Sequence, residues 1–157
     1  MNRKIIIGSS IVLILDQLSK IIVDLTLNLN ESINVIKNLF NITYIHNYGA
    51  AWGILKDKTF LLTIMSIIAL IIIYRYSNTF IINRRNKLAF SFLLGGITGN
   101  LLDRLFLGYV RDFLDFNIFG YDFPVFNIGD SCIFIGVILL MISIYKKDDY
   151  EVKSRRK

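Results

Sequence analysis

Four stretches of this chain are apolar over lengths that suit a membrane-crossing helix, and two of the intervals between them are too long and too patterned to be simple connectors. The first stretch, Ile5 to about Leu25, is apolar except for a polar girdle, Asp16-Gln17-Leu18-Ser19-Lys20. No small-residue cleavage site follows its first half, and a second apolar run, Ile21-Ile22-Val23, does, so the segment is expected to be a retained helix rather than a cleaved signal. Thr59 to Tyr76 is almost wholly Ile, Leu, Met and Phe. At 1.5 Å per residue it covers roughly 27 Å, close to the thickness of a hydrocarbon core. Leu88 to Leu107 and Ile128 to Tyr145 are the third and fourth stretches.

The interval from Asn28 to Asp57 changes period. Phe40-Asn41-Ile42-Thr43-Tyr44 alternates strictly and Ser32-Ile33-Asn34-Val35 does so briefly, which predicts short half-buried strands. The interval closes on His46-Asn47-Tyr48-Gly49-Ala50-Ala51-Trp52-Gly53, where small residues permit close backbone approach and Trp52 suits a membrane interface. Gly108 to Asn127 is rich in aromatic residues and Asp, with Gly120 and the only proline, Pro124, marking turns.

Composition turns this pattern into a class. With 157 residues and 54% hydrophobic content, the chain is expected to form a single integral membrane domain, 1–157. The expected spans are about 5–25, 59–76, 88–107 and 128–145, with outer segments 28–57 and 108–127 and a basic tail 146–157. A net charge of +6 would suggest nucleic acid if the cations formed one patch, but twelve of the eighteen Lys and Arg residues fall in three clusters that flank apolar runs. Those clusters are Arg3 and Lys4; Arg75, Arg84, Arg85 and Lys87; and the tail from Lys146. This is the distribution of cytoplasmic loops, so both termini are expected inside and no nucleic-acid partner is expected. One Cys and one His exclude an internal disulfide and a multi-thiolate metal site. Cys132 reads as a small buried hydrophobe and His46 as a polar outer residue rather than a ligand.

The candidate chemistry lies where polarity interrupts the apolar pattern. In the third stretch Ser91, Gly95 and Gly99 form a small-residue ridge that lets another helix approach closely. Gly96, Gly99, Asn100 and Asp103 follow i, i+3, i+4, i+7, so an amide and a carboxylate share one face, which must point inward. An ionisable group at this depth costs about 2.5–3.5 kcal/mol, which implies a purpose. Arg104, one step round the helix, is expected to pair with an acid other than Asp103, and the two are given a supporting rather than a chemical role. Asp16 and Lys20, spaced i, i+4, can pair with each other or reach the polar site. Four spans would bring Asp112 and Asp130 to one membrane level near the outer boundary, where water is at hand. Two carboxylates held close in low dielectric share a proton, which supplies a base for water and an acid for a scissile carbonyl. Asp115 repeats the Asp-Phe pair of Asp112, so spacing alone does not choose between them; Asp115 and Asp122 are expected to be solvated, and Tyr109, Phe113, Phe119 and Tyr121 to form an interface belt.

Taken together, Asp16-Gln17-Leu18-Ser19-Lys20, Asn47-Tyr48-Gly49-Ala50-Ala51-Trp52, Gly95 to Arg104, Val110-Arg111-Asp112-Phe113 and Phe126-Asn127-Ile128-Gly129-Asp130-Ser131 closely resemble, in order, the blocks of the bacterial lipoprotein signal peptidases, or type II signal peptidases. The resemblance implies an α-helical membrane protein with four transmembrane helices and a small extracytoplasmic β-cradle. It also implies a bacterial inner-membrane location with the active site near the outer face. Such enzymes are aspartyl endopeptidases, needing no cofactor, that cleave diacylglyceryl-modified prolipoproteins just before the lipidated cysteine. They work among membrane lipids and are blocked by globomycin. By position, Asp112 and Asp130 correspond to the catalytic pair, and Asp16, Lys20, Asn47, Gly49, Asn100, Asp103, Arg104 and Asn127 to supporting or substrate-binding residues. Two departures stand out: Arg111 occupies a position expected to be apolar, and Gly129 one where Ala is usual. Arg111 is expected to point away from Asp112 toward headgroups, since neighbours in an extended segment face opposite ways. The alternatives from other classes are a small ion-coupled transporter, for which no inverted halves are visible, and a non-enzymatic assembly factor packing through the small-residue ridge.

Overall fold

Three asparagines begin helices in this molecule. Asn2 accepts a hydrogen bond from the Lys4 amide, Asn83 from the Asn86 amide and Asn127 from the Asp130 amide, each satisfying a donor that the helix itself leaves unpaired. The computed structural model describes residues 2–49, 55–81 and 83–146. In order they form α1 (Arg3–Thr26), β1 (Ser32–Ile36), β2 (Phe40–Asn47), α2 (Thr59–Tyr76), α3 (Arg84–Phe106), β3 (Val110–Ile118), β4 (Tyr121–Asp122) and α4 (Ile128–Tyr145). The segment Ala50 to Gly53, with Trp52, and the tail beyond Lys146 lie outside the described residues.

Helices α1, α2 and α4 are long and apolar enough to cross a membrane. They wear their apolar side chains outward: Ile14, Ile22, Met65, Ile71, Phe134 and Met141 are all at least half exposed. In a lipid solvent that face costs nothing, so the helices must associate through packing and polar contacts instead. Helix α3 is the complement. Twelve of its 23 residues are buried, several of them polar, which makes it the central helix against which α1, α2 and α4 pack. The small residues permit this. A methyl at Gly95 would strike Val12 and the Ser9 carbonyl of α1, and one at Gly96 would strike the Gly129 carbonyl of α4. The ridge of Ser91, Gly95 and Gly99 therefore serves α1, and Gly96, outside the ridge, serves α4.

The strands form one antiparallel sheet in the order β1-β2-β3-β4. β1 and β2 fall on the two alternating segments of the sequence. β3, the longest strand, did not announce itself by alternation, because its first four residues, Val110 to Phe113, are buried on both faces. One face of the sheet closes over the end of α1, with Tyr44 and Phe113 packed against Val23 and Leu27. Phe113 is thus core rather than interface belt, whereas Phe119 is fully exposed. The register sets Asp112 opposite Ile45 and Asn47 opposite Val110. Phe126 then bonds to β3 through its backbone, accepting from Leu114 at 2.7 Å and donating back at 3.1 Å. That bridge places the start of α4 beside Asp112.

Candidate active site

Asn127 is the joint of the site. It caps α4 in a reciprocal arrangement with Asp130: its side-chain oxygen accepts from the Asp130 amide (2.9 Å), and the Asp130 carboxylate accepts from the Asn127 amide (3.2 Å). The same side chain, fully buried, donates to Asp112 Oδ1 at 2.6 Å. One residue therefore holds both carboxylates, one from β3 and one from the first turn of α4. Asn47, at the end of β2, donates to the other Asp112 oxygen at 2.8 Å, and Asn100 on α3 donates to Asp130 Oδ1 at 2.7 Å. Asn47 also accepts from the Gly49 amide, which turns the chain at the edge of the site.

Behind the amides lies a charged layer. Lys20 donates to Asn100 Oδ1 at 2.8 Å and pairs with Asp16 at 2.8 Å and Asp103 at 3.4 Å, all three charged groups being essentially inaccessible. Both possibilities for Lys20 are realised at once: it pairs one turn back along its own helix and reaches the polar site. Asp16 also accepts from the Gly129 amide at 2.7 Å, tying α1 to the start of α4. Two acids and two bases, Asp16, Asp103, Lys20 and Arg111, make this layer electrically neutral. Among the described residues no buried side-chain nitrogen or oxygen lacks a hydrogen-bond partner, as a low-dielectric interior requires.

Two expectations are corrected here. Arg111 does not reach toward headgroups; it is 6% exposed and lies on Asp103, donating from Nη2 to Oδ1 at 2.8 Å and from Nε to Oδ2 at 3.3 Å. Neighbours on a strand do face opposite ways, but the face opposite Asp112 is itself covered by α1 and α3. Burial pulls the guanidinium down, yet the Asp103 carboxylate outweighs it and holds Arg111 above its ordinary value. Arg104, conversely, forms no ion pair among the described residues. It lines the cavity with the two carboxylates, and the expected ion pair with an acid other than Asp103 is not made. Sequence reasoning also passed over Gln17, which donates to the Gly99 carbonyl (3.0 Å) and Asp103 (3.2 Å) and accepts from Arg111 (3.1 Å). Its signal was position: it stands between Asp16 and Lys20, three residues before the lysine, on the inward side of α1.

Arg111→Met is expected to lower stability by about 3 kcal/mol, the lower end for breaking a buried pair, because Lys20 still pairs with Asp103. Arg111→Lys keeps the charge but loses the fork and should fall between Met and wild type. Thermal unfolding in detergent checks this, and equal midpoints for wild type and Arg111→Met would remove the assigned role.

Asp112 and Asp130 line a cavity of about 650 Å³ together with Asn47, Gly49 and Arg104 at its polar end. The rest of the lining is apolar apart from Ser131 and includes Phe123, Phe126, Phe134 and Ile135. Burial, reinforced by the negative charge of Asp130, pushes the Asp112 carboxyl up to about 7, against the hydrogen bonds from Asn47 and Asn127 and the charge of Lys20. Asp115 is elsewhere, half-buried on the sheet and accepting from Thr43 at 2.6 Å, so it is hydrogen-bonded across strands rather than merely solvated. His46 stacks on Tyr109 with centroids 3.6 Å apart and contacts the Tyr44 hydroxyl at 3.0 Å. Burial holds the His46 ring below its ordinary value. Tyr44, whose hydroxyl donates to Asp24 at 2.6 Å, is raised by burial and by that acid.

The sequence and the fold of this chain have counterparts among known proteins. The sequence model of Signal peptidase (SPase) II matches residues 9–146. The chain belongs to the signal peptidase II family. The lipoprotein signal peptidase of Staphylococcus aureus strain bovine RF122 / ET3-1 is 45% identical over 98% of this chain and the whole of its own. That of strain Newman is 44% identical over the same shares. A bacterial membrane enzyme solved by the in meso method at 2.3 Å superposes with a TM-score of 0.82 at 41% identity, over 98% of this chain and 93% of its own. A second, at 1.9 Å, gives 0.76 at 40% identity over 90% and 92%. The transporter and assembly-factor readings find no support in these matches.

Proposed function

We propose that this chain is an aspartyl endopeptidase that removes the signal peptide from diacylglyceryl-modified prolipoproteins, cleaving before the lipidated cysteine, with Asp112 and Asp130 as the catalytic pair. The observation that carries the assignment is Asn127, which fixes both carboxylates on one wall of a largely apolar cavity. A cavity with a polar end and long apolar walls suits a substrate whose reacting bond lies between an apolar helix and two acyl chains.

The chemistry follows from a single proton shared by the pair. The ionised carboxylate takes a proton from water as the water oxygen bonds to the scissile carbonyl carbon, and the protonated partner gives its proton to the carbonyl oxygen. The resulting diol collapses when a proton passes to the amide nitrogen and the C–N bond breaks, releasing the amine of the lipidated cysteine and the carboxyl end of the signal peptide. Asn47, Asn100 and Asn127 orient the carboxylates throughout. Arg104, a guanidinium without an ion-pair partner among the described residues, is placed to bind substrate carbonyls at the polar end.

The proposal extends to placement in the membrane. Helix α3, about 34 Å long, serves as the fourth span, its polar groups facing protein rather than lipid. The basic residues Arg3, Lys4, Arg75, Arg84 and Lys87 mark the cytoplasmic end, so both termini are inside and the sheet and the carboxylates lie near the outer face of a bacterial inner membrane. Globomycin is expected to inhibit.

The deciding experiment is cleavage of a diacylglyceryl-modified prolipoprotein by the purified protein in detergent, with and without chelator. Metal-independent cleavage before the modified cysteine is expected; a folded protein that leaves this substrate intact refutes the assignment. The pH profile is the second check. Because an acid form is required and Asp112 loses its proton near pH 7, kcat/KM should fall as pH rises through about 7, approaching tenfold per unit above it. Bound substrate desolvates the pair further, so the corresponding limb of kcat should lie at higher pH. A kcat/KM that stays level to pH 9 would contradict the shared-proton pair.

A further inference from the structure

At the end of the molecule opposite the carboxylate pair, a second depression of about 370 Å³ runs along the seam between α1 and α3. Its walls are Ile11 and Leu15 from α1 and Leu88 and Phe92 from α3, and its outer end is ringed by Lys4, Arg84 and Lys87. The cations come from two helices, Arg84 and Lys87 lying three apart on one face of α3. Among the described residues none of the three forms an ion pair. Like charges gathered at one spot repel, and an anion placed between them converts that repulsion into attraction.

The dimensions say what kind of anion. From Lys4 to Leu15 the groove follows α1 for eleven residues, about 16 Å, which is half of a roughly 30 Å hydrocarbon core. Its cations stand at headgroup level and its apolar floor is one leaflet deep. We infer that this groove is a binding site for an anionic glycerophospholipid, its phosphate held by Lys4, Arg84 and Lys87 and one acyl chain laid between Ile11, Leu15, Leu88 and Phe92. The tendency of basic residues to collect on the cytoplasmic side accounts for positive charge at this end, but it does not call for those charges to converge on the mouth of a leaflet-deep groove. The site lies in the leaflet opposite the carboxylates, so it is separate from the substrate cavity, and its occupant would clamp α1 to α3 along the seam that also positions Lys20.

Native mass spectrometry of the full-length protein, released from micelles containing equal amounts of dioleoyl phosphatidylglycerol and dioleoyl phosphatidylcholine, tests this without reference to peptidase activity. Retained phosphatidylglycerol should exceed phosphatidylcholine by at least about fivefold, the factor expected for even one engaged cation. The Lys4→Gln/Arg84→Gln/Lys87→Gln variant should bring the ratio close to one. Ile11→Trp, which fills the groove at a lipid-facing position and leaves the cations in place, should also reduce retention. Equal retention of the two lipids by the wild type, or an unchanged preference in the triple variant, overturns the site. If Ile11→Trp retains phosphatidylglycerol as well as the wild type does, only a headgroup is being captured and the groove assignment falls.

Discussion

Asp112→Asn and Asp130→Asn should each leave a folded, membrane-inserted protein that does not cleave prolipoprotein, with activity down by roughly a hundred- to ten-thousand-fold, the range a positioned acid or base supplies. Each carboxamide keeps the shape of its carboxylate and one accepting oxygen, so the cost to folding is confined to one hydrogen bond of the amide frame. For Asp112 the loser is the bond from Asn47 or Asn127; for Asp130 it is that from Asn100 or from the Asn127 amide. Removing the buried charge offsets part of that loss. Because the two groups act as one unit, the double variant should be little worse than either single one. Steady-state cleavage measured beside thermal unfolding separates catalysis from folding. Substantial activity in either variant would end the assignment of the pair.

Lys20→Met should have the largest effect on stability. Lys20 is wholly buried, pairs with Asp16 and Asp103 and donates to Asn100, so its loss leaves two buried carboxylates with only Arg111 to balance them. Breaking a buried pair by removing one partner costs about 3–5 kcal/mol, far more than the pair contributes over an apolar substitute. A second change makes the cause visible: Asp16→Asn in the Lys20→Met background restores neutrality and should recover part of the loss. Unfolding midpoints of the two variants in one detergent decide the matter; a Lys20→Met protein that unfolds with the wild type would show that the layer is not held by charge balance. The surviving folded fraction should also show the alkaline limb of kcat/KM moved upward, since the Lys20 charge helps to lower Asp112.

These two expectations rest on different amounts of sequence information. That Asp112 and Asp130 come together was legible from the level at which four spans would set them, although only the family block separated Asp112 from Asp115. Their supports were legible because Asn100, Asp103, Asp16 and Lys20 stand out against Leu and Ile. Asn127 was legible only as part of a family block; its cap on α4 and its hold on both carboxylates come from the fold. Arg111 was misread and Arg104 was given a partner it does not have. For Arg111 the error lay in not knowing what covers the second face of β3, which residue spacing cannot say; for Arg104 it lay in expecting an ion pair of a side chain that lines the cavity. Gln17 went unassigned because an amide beside Asp16 and Lys20 is equally at home in solvent.

The sequence by itself determined the helices, since apolar length and asparagine caps are local quantities, and it determined which residues are too polar to face lipid and must find one another. It also marked β1 and β2 through their alternation, although β1 is exposed along its whole length and only β2 is partly buried. Only the tertiary structure decided how the buried charges are shared. That Lys20 serves Asp16, Asp103 and Asn100, that Arg111 rather than Arg104 closes the layer, and that Asn127 touches both carboxylates depend on contacts such as Lys20 to Asn100, 80 positions apart in the chain. Coulomb energy and hydrogen-bond geometry act over a few ångströms of space and are indifferent to sequence separation, so the pairing of these groups is fixed only when the sheet closes over α1 and Phe126 brings α4 to β3.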